Sequence, residues 1–216
     1  MISAVKKIVI VCAGSQGTIV ADILQRAQEA GAAAEPIGFV DDTPSLNGTT
    51  MLDLPILGPI DSLPQIEHDA VVVAIGDNHT RRVITERLIA AGETLATAIH
   101  PFVSIAPSAK IGEGSMLSAG ALVLPRAILG RGVLLNTKAS VDHDSVMGDF
   151  SHVSAGGTVG ANCRIGEETL IALGASVTSW RTVGARTTIG GGAVVVRDIP
   201  DDVTAWGVPA RVTGGR

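Results

Sequence analysis

The sequence predicts a chain of two architectures, α/β followed by all-β: a small parallel α/β domain over residues 1–101, then a parallel β-helix over residues 102–216. Three observations carry this. Up to residue 101, short apolar runs alternate with segments of helical periodicity. From Ile105 to Val195 every sixth residue is aliphatic, sixteen positions without a break. Aromatic residues make only 2% of the chain, with no Tyr, although 46% is hydrophobic. The core must therefore be built from small aliphatic side chains.

In the first half, "KKIVIVCA" (6–13) reads as a buried strand and "GSQG" as a turn. "TIVADILQRAQEAG" (18–31) follows as a helix with Ile19, Ile23, Ala27 and Ala30 inward and Gly31 closing it. "PIGFVDD" (36–42) is the second strand and, after a Pro-containing loop, "DAVVVAIGDN" (69–78) the third. The spacing predicts a helix over 79–92 with Ile84, Leu88 and Ala91 inward and Asn78 as N-cap, then a short strand over 94–101. Apolar strands alternating with helices form a Rossmann-like parallel sheet covered on both faces.

Such sheets bind ligands outside the carboxyl ends of their strands. Residues 13–17, 40–42 and 75–82 converge there, which makes Gly14, Ser15, Gly17, Asp41, Asp42, Gly76, Asn78 and Arg81 the candidate binding residues. Gly14 and Gly17 let backbone approach a phosphate at a helix N-terminus. Asp41 or Asp42 suits a ribose or base hydrogen bond, and Arg81 or Arg82 a phosphate. The dinucleotide fingerprint is incomplete, because its first glycine falls on Cys12. A tight strand–helix turn with solvated charges accounts for the same residues.

In the second half, the residue two places before most of the periodic aliphatics is small: Ala121, Ala127, Ala139, Ser145, Ser151, Cys163 and Ala175 among them. A repeat of six is the mark of a β-helix. Gly112, Gly130, Gly148, Gly166 and Gly184 recur eighteen apart, so three hexads make one coil of a triangular prism and those glycines stack along one corner. His143 and His152 are half a coil apart and leave different sides of the prism. Cys163, in a small-residue slot, reads as a buried inert thiol. His68, His79 and His100 read as structural or surface residues, and Trp180 and Trp206 as packing at prism ends or interfaces.

Composition excludes several classes. The net charge of -5 argues against a nucleic-acid surface. Two cysteines, Cys12 and Cys163, make neither a disulfide framework nor a four-cysteine zinc site. The start, "MISAVKKIVIVCAGSQG", suits a buried strand better than a signal peptide, and no stretch is long enough for membrane insertion. The expectation is a soluble cytoplasmic protein.

The hexads resemble those of the left-handed β-helix acyltransferases. The whole chain is similar to bacterial nucleotide-amino-sugar N-acetyltransferases and their sialic-acid O-acetyltransferase relatives. The resemblance rests on "AGSQG", "VDD", "AIGDNHTRR", "IHP", "NTKASVDHDSVMGDFSHVS" and the closing "GVPAR". It implies a homotrimer with sites between prisms, acetyl-CoA along the coils, and a nucleotide-linked amino sugar held partly by the first domain. It also implies a role in bacterial surface-glycan or glycoprotein synthesis.

By position, His143 matches the family's general base and Asp144 the acid that orients it. Asn136 matches a substrate-binding asparagine and His152 a second active-site histidine. Ala161 holds the place whose backbone N–H faces the thioester carbonyl. Leu173 and Gly191 match contacts to the pantetheine arm, and Pro209, Ala210 and Arg211 the tail at the adenine end. The chain departs from the family at Gln16, where a histidine is usual, and at Ala161, where glycine is common. No metal is implied. A zinc carbonic anhydrase of the same fold needs three histidine ligands, and the repeat has two. Sugar O-acetylation and a non-catalytic nucleotide-sugar scaffold are the alternatives.

Overall fold

The computed structural model describes residues 5–215. Met1 to Ala4 and Arg216, at the ends of the two expected domains, lie outside the described residues. The chain divides into two compact units, Met1–Pro101 and Phe102–Arg216.

In the first unit β1 (Lys6–Val11), α1 (Ser15–Glu29), β2 (Ala34–Val40), β3 (Thr50–Met51), β4 (Leu54–Gly58), β5 (Ala70–Val73) and α2 (Asn78–Ala90) follow in order. The sheet order is β3-β4-β2-β1-β5. Its β1–β2, β1–β5 and β2–β4 pairs are parallel, and β3–β4 is an antiparallel hairpin. On one face Val9, Val11, Val40, Val71 and Val73 pack with Ile60, Leu63 and Leu88. Alternation turns Ile8, Ile10 and Phe39, all buried, to the other.

Five local expectations need correction. The hairpin β3–β4 was hidden in the Pro-containing loop: Pro55 and Gly58 read as breakers, yet Pro55 faces only the two-residue β3. Helix α1 begins at Ser15, three residues early, and buries Gly17, Val20, Ala21, Ile23 and Leu24, so the inward stripe lies one residue off the expected one. The N-cap of α2 is Asp77, whose side chain accepts from the Thr80 amide at 2.8 Å, while Asn78 is already helical. The buried side of α2 is mostly polar, comprising Asn78, Arg81, Thr85 and Leu88, and Ala91 is exposed. The expected last strand shrinks to a parallel bridge between Leu95 and Val71 and a pair at Ala98–Ile99.

The second unit is a left-handed parallel β-helix. Two-residue strands recur every six residues from Ser104–Ile105 to Val194–Val195. Each pairs with the strand eighteen residues on, as in Leu122↔Ser140, Ile128↔Val146 and Leu134↔His152, which builds three sheets. The periodic aliphatics fill the prism, with Val123, Leu135, Val141, Met147 and Val153 at most 1% exposed. The small slots are buried as expected, and some also tie the coils together. Ser145 Oγ donates to the Gly160 carbonyl (2.7 Å) and accepts from the Cys163 amide (2.9 Å). Ser115 and Thr169 bridge in the same way.

Each corner is turned by one residue in the left-handed region. Positive φ recurs every six residues from Gly114 to Gly192, at glycine or at residues such as Arg126 (φ 62), Lys138 (φ 58) and Asp144 (φ 60). The glycine column needs its glycines for a different reason: a Cβ on Gly112 would lie 2.3 Å from the Gly130 carbonyl oxygen.

The last coil is two residues short. Asp198, Asp201 and Asp202 cap Thr182, Ala185 and Arg186 at an offset of sixteen. Ile199 bridges Val183, and Val203–Trp206 adds to the strand Thr188–Ile189 and turns back through Arg211–Gly215. Val194 is covered by Gly207 and Ala210. Among the described residues no helix is long and apolar enough to cross a membrane, and no cluster of three or more His, Cys, Asp or Glu is placed to hold a metal.

Candidate active site

In the first unit the loops after β1, β2 and β5 border an open cavity of about 510 Å³, lined by Cys12, Gly14, Ser15, Gln16, Asp41, Ala74, Ile75, Gly76 and Thr80. Gly14 caps α1 without a side-chain hydrogen bond, and no acid sits in the first turn. The first amides of α1 therefore lack intrahelical partners and carry the positive end of the helix dipole, which suits an anion. A Cβ on Gly14 would touch nothing within 4 Å, so this glycine opens onto free space. Cys12 keeps the glycine conformation of the incomplete fingerprint, at φ 77. Burial, and then the charges of Asp41 and Asp42, push its thiol up to about 11, so it is neutral.

Asp41 is at the cavity and engaged: Oδ2 accepts from the Ala13 amide (2.7 Å) and Oδ1 from the Thr43 amide (2.8 Å). Burial pushes its carboxyl up, but the hydrogen bonds from Ala13 and Thr43 outweigh this and the net shift is downward. Asp41 thereby fixes the loop that precedes α1. Gln16, which stands where a histidine is usual in the family the sequence resembles, has its buried Nε2 without a partner.

Four expected residues do not open onto the cavity. Gly17 is buried, and a Cβ there would lie 2.3 Å from the Cys12 carbonyl oxygen; packing, not phosphate approach, requires the glycine. Asp42 is turned to the Ile60 amide (2.9 Å). Arg81 is 1% exposed, its guanidinium donating to the Ile75 and Gly76 carbonyls and to Asn78 Oδ1. Asn78 faces inward with it. Arg81 therefore holds the 75–76 wall of the cavity from behind instead of meeting a phosphate.

In the second unit the expected residues fall on two edges of the prism. His143 and Asp144 turn the corner after Ser140–Val141. His143 Nδ1 lies 2.7 Å from Asp144 Oδ2, and the imidazole is half-exposed. A carboxylate only accepts, so Nδ1 carries the proton and the neutral ring has its lone pair on Nε2. Asp142 Oδ1 caps the His143 amide (2.7 Å). Arg126, one coil earlier, grips Asp144 with two bonds of 2.6 Å. Arg126, and then His143, hold the Asp144 carboxyl down at about 2.

Ala161 stacks one coil beyond His143, as expected, but its N–H is occupied by Ser179 Oγ, a further coil on (3.2 Å). The expectation of an open N–H is corrected to one covered by a rotatable hydroxyl. Asn136, Leu173 and Gly191 lie on a different edge, the corner after the strands that include His152. Asn136 Oδ1 caps the Thr137 amide (2.8 Å), and His152 Nε2 is 3.5 Å from Ser154 Oγ. Leu173 is exposed, and Gly191 stacks on it. On the same side the Trp206 indole lies against Gly190, where any Cβ would collide with it. In the tail Ala210 N donates to the Val194 carbonyl and Arg211 Nη1 to the Ala210 carbonyl.

Residues 7–88 match the PglD N-terminal domain. The chain as a whole is similar to the acetyltransferase domain of PglB from Neisseria gonorrhoeae FA1090, at 38% identity over 96% of this chain and 100% of that one, TM-score 0.89. That domain has also been solved in complex with acetyl coenzyme A. PerB from Caulobacter crescentus, solved with CoA and GDP-perosamine, is 33% identical over 98% of this chain and 99% of its own, TM-score 0.89. The chain belongs to the hexapeptide-repeat nucleotide-amino-sugar N-acetyltransferases. Another structure similar to this N-acetyltransferase is WeeI from Acinetobacter baumannii AYE, 26% identical over 95% of this chain and 99% of that one, TM-score 0.71. No curated protein sequence matches the present chain. Sequence reasoning about this N-acetyltransferase missed Arg126 and Ser179. Both follow from the 18-residue stack, since 126 is 144 less 18 and 179 is 161 plus 18.

Proposed function

We propose that this N-acetyltransferase moves the acetyl group of acetyl-CoA to the amino group of a nucleotide-linked amino sugar, of the 4-amino-4,6-dideoxy class, by direct attack with His143 as general base. The observation that carries the reading is the His143–Asp144 pair: it leaves Nε2 as an acceptor on a half-exposed edge. The sugar amine attacks the thioester carbonyl. His143 Nε2 takes the proton that the nitrogen loses and returns it to the departing thiolate, while Asp144, ionised at any working pH, stabilises the imidazolium. The Ala161 N–H is the oxyanion donor, and the developing charge displaces the Ser179 hydroxyl from it.

The cavity at Gly14, Ser15, Gly76 and Asp41 takes the nucleotide, with its phosphates at the start of α1. Leu173, Gly191 and the tail at Pro209, Ala210 and Arg211 take the coenzyme. His143 and Leu173 stand on different edges of one prism, so a complete site needs the His143 edge of one subunit beside the Leu173 edge of the next. A homotrimer supplies that in a closed ring, with Asn136 and His152 contributed from the second edge.

The test is acetyl-CoA turnover against a panel of nucleotide-linked 4-amino sugars, free sialic acids and serine. Turnover confined to the amino sugars is expected; preference for a free sialic acid would make the enzyme an O-acetyltransferase. His143→Ala should lower turnover roughly 10²–10⁴-fold with coenzyme affinity unchanged. Near-full turnover of that variant would remove the base assignment.

A further inference from the structure

We propose that Arg126 is a positioning residue for the base, setting the orientation of His143. The inference rests on the reading of His143 as the base. Arg126 and Asp144 occupy equivalent left-handed corners of successive coils, at φ 62 and φ 60. The planar fork of Arg126 takes both oxygens of Asp144, Nε to Oδ1 and a terminal nitrogen to Oδ2, each at 2.6 Å. A carboxylate held at two points has a fixed plane. The lone pairs of Oδ2 are then directed, and one of them receives the Nδ1 proton of His143 at 2.7 Å. The corner itself is anchored, because the Arg126 amide donates to Ser108 Oγ (3.1 Å) and the Asp144 amide to the Pro125 carbonyl (3.1 Å).

Asp142 and Asp144 flank His143 on its own coil. On the preceding coil Leu124, Pro125 and Arg126 occupy the positions equivalent to Asp142, His143 and Asp144, and on the following coil the uncharged Gly160, Ala161 and Asn162. Of these stacked residues Arg126 is the one cation, and its fork meets Asp144.

The pair is exposed on the Arg126 side, with that side chain 65% accessible and the Asp144 side chain 29%. An ion pair of this kind contributes little to folding. That separates a positioning role from a structural one.

The test measures kcat and KM for both substrates for the wild type and for Arg126→Ala, Arg126→Lys and His143→Ala, with thermal midpoints alongside. For Arg126→Ala we expect kcat to fall roughly tenfold to a hundredfold, the scale of a misplaced catalytic group. Both KM values and the midpoint should be nearly unchanged. Arg126→Lys keeps the charge without the fork, so its kcat should remain reduced. An Arg126→Ala enzyme with wild-type kcat, beside an inactive His143→Ala, overturns the proposal alone. So does a lowered midpoint with full turnover per folded molecule. An active His143→Ala overturns the reading on which the proposal stands.

Discussion

Asp41 acts through its neighbours. Its two oxygens are taken by the Ala13 and Thr43 amides, so it shapes the turn before α1 as well as lining the cavity. Asp41→Ala leaves those amides without a partner and loosens the start of α1. The KM for the sugar nucleotide should rise by on the order of tenfold, the cost of a charge-assisted hydrogen bond, while the KM for acetyl-CoA stays within about twofold. Steady-state kinetics with each substrate varied in turn would show this, and equal rises in both would make the first unit a scaffold only. At this scale the sequence was read best where function depends on neighbours along the chain, as in His143 with Asp144. It was read worst where function depends on the stack or on a rotamer. Arg126 meets Asp144 only because coils superpose every eighteen residues. Arg81 looked like a phosphate ligand because nothing in "DNHTRR" says which of two arginines turns inward.

Among the elements, the segment between the 3-10 turn at Ile60–Gln65 and β5 is pinned by a part-buried pair. His68 Nδ1 lies 2.8 Å from the Ile66 carbonyl and Nε2 2.8 Å from Glu93 Oε2. Carbonyl and carboxylate both accept, so the site favours the doubly protonated ring. Burial pushes its pKa down, but the Ile66 carbonyl and Glu93 outweigh this and the net shift is upward. A raised folded-state pKa contributes stability that is fully present below about pH 6.5, the unfolded value, and is lost as pH rises through the folded one. Denaturant midpoints taken across that window should therefore fall with pH in the wild type and fall less in His68→Gln. Identical slopes would show that the ring is neutral. The strand–helix order of this unit was legible from periodicity, and the hexads from arithmetic. The hairpin β3–β4 was not, because a proline and a glycine in a five-residue strand erase its signal unless its short partner is known.

For the whole molecule, the division of site residues between two edges sets a counting rule. In a closed trimer built as proposed, a subunit carrying His143→Ala still offers a sound Leu173 edge, and one carrying Gly191→Trp a sound His143 edge. Each ring containing both variants has one interface where the two sound edges meet. Co-refolding the two inactive variants in equal amounts should restore roughly a quarter of wild-type turnover. No recovery would place each site within one subunit. The shortened last coil bears on a different matter, the behaviour of many copies together. A prism of identical coils ends in three strand edges whose spacing matches the start of any other copy, an invitation to stack end on end into fibres. Here Ile199 occupies one edge, Gly207 and Ala210 a second, and the ribbon of Val203–Trp206 with Arg211–Gly215 the third. Because that coil has sixteen residues in place of eighteen, the terminus no longer has the outline of the repeat. A second prism finds no register on which to continue, and growth of the fold stops at one molecule's length.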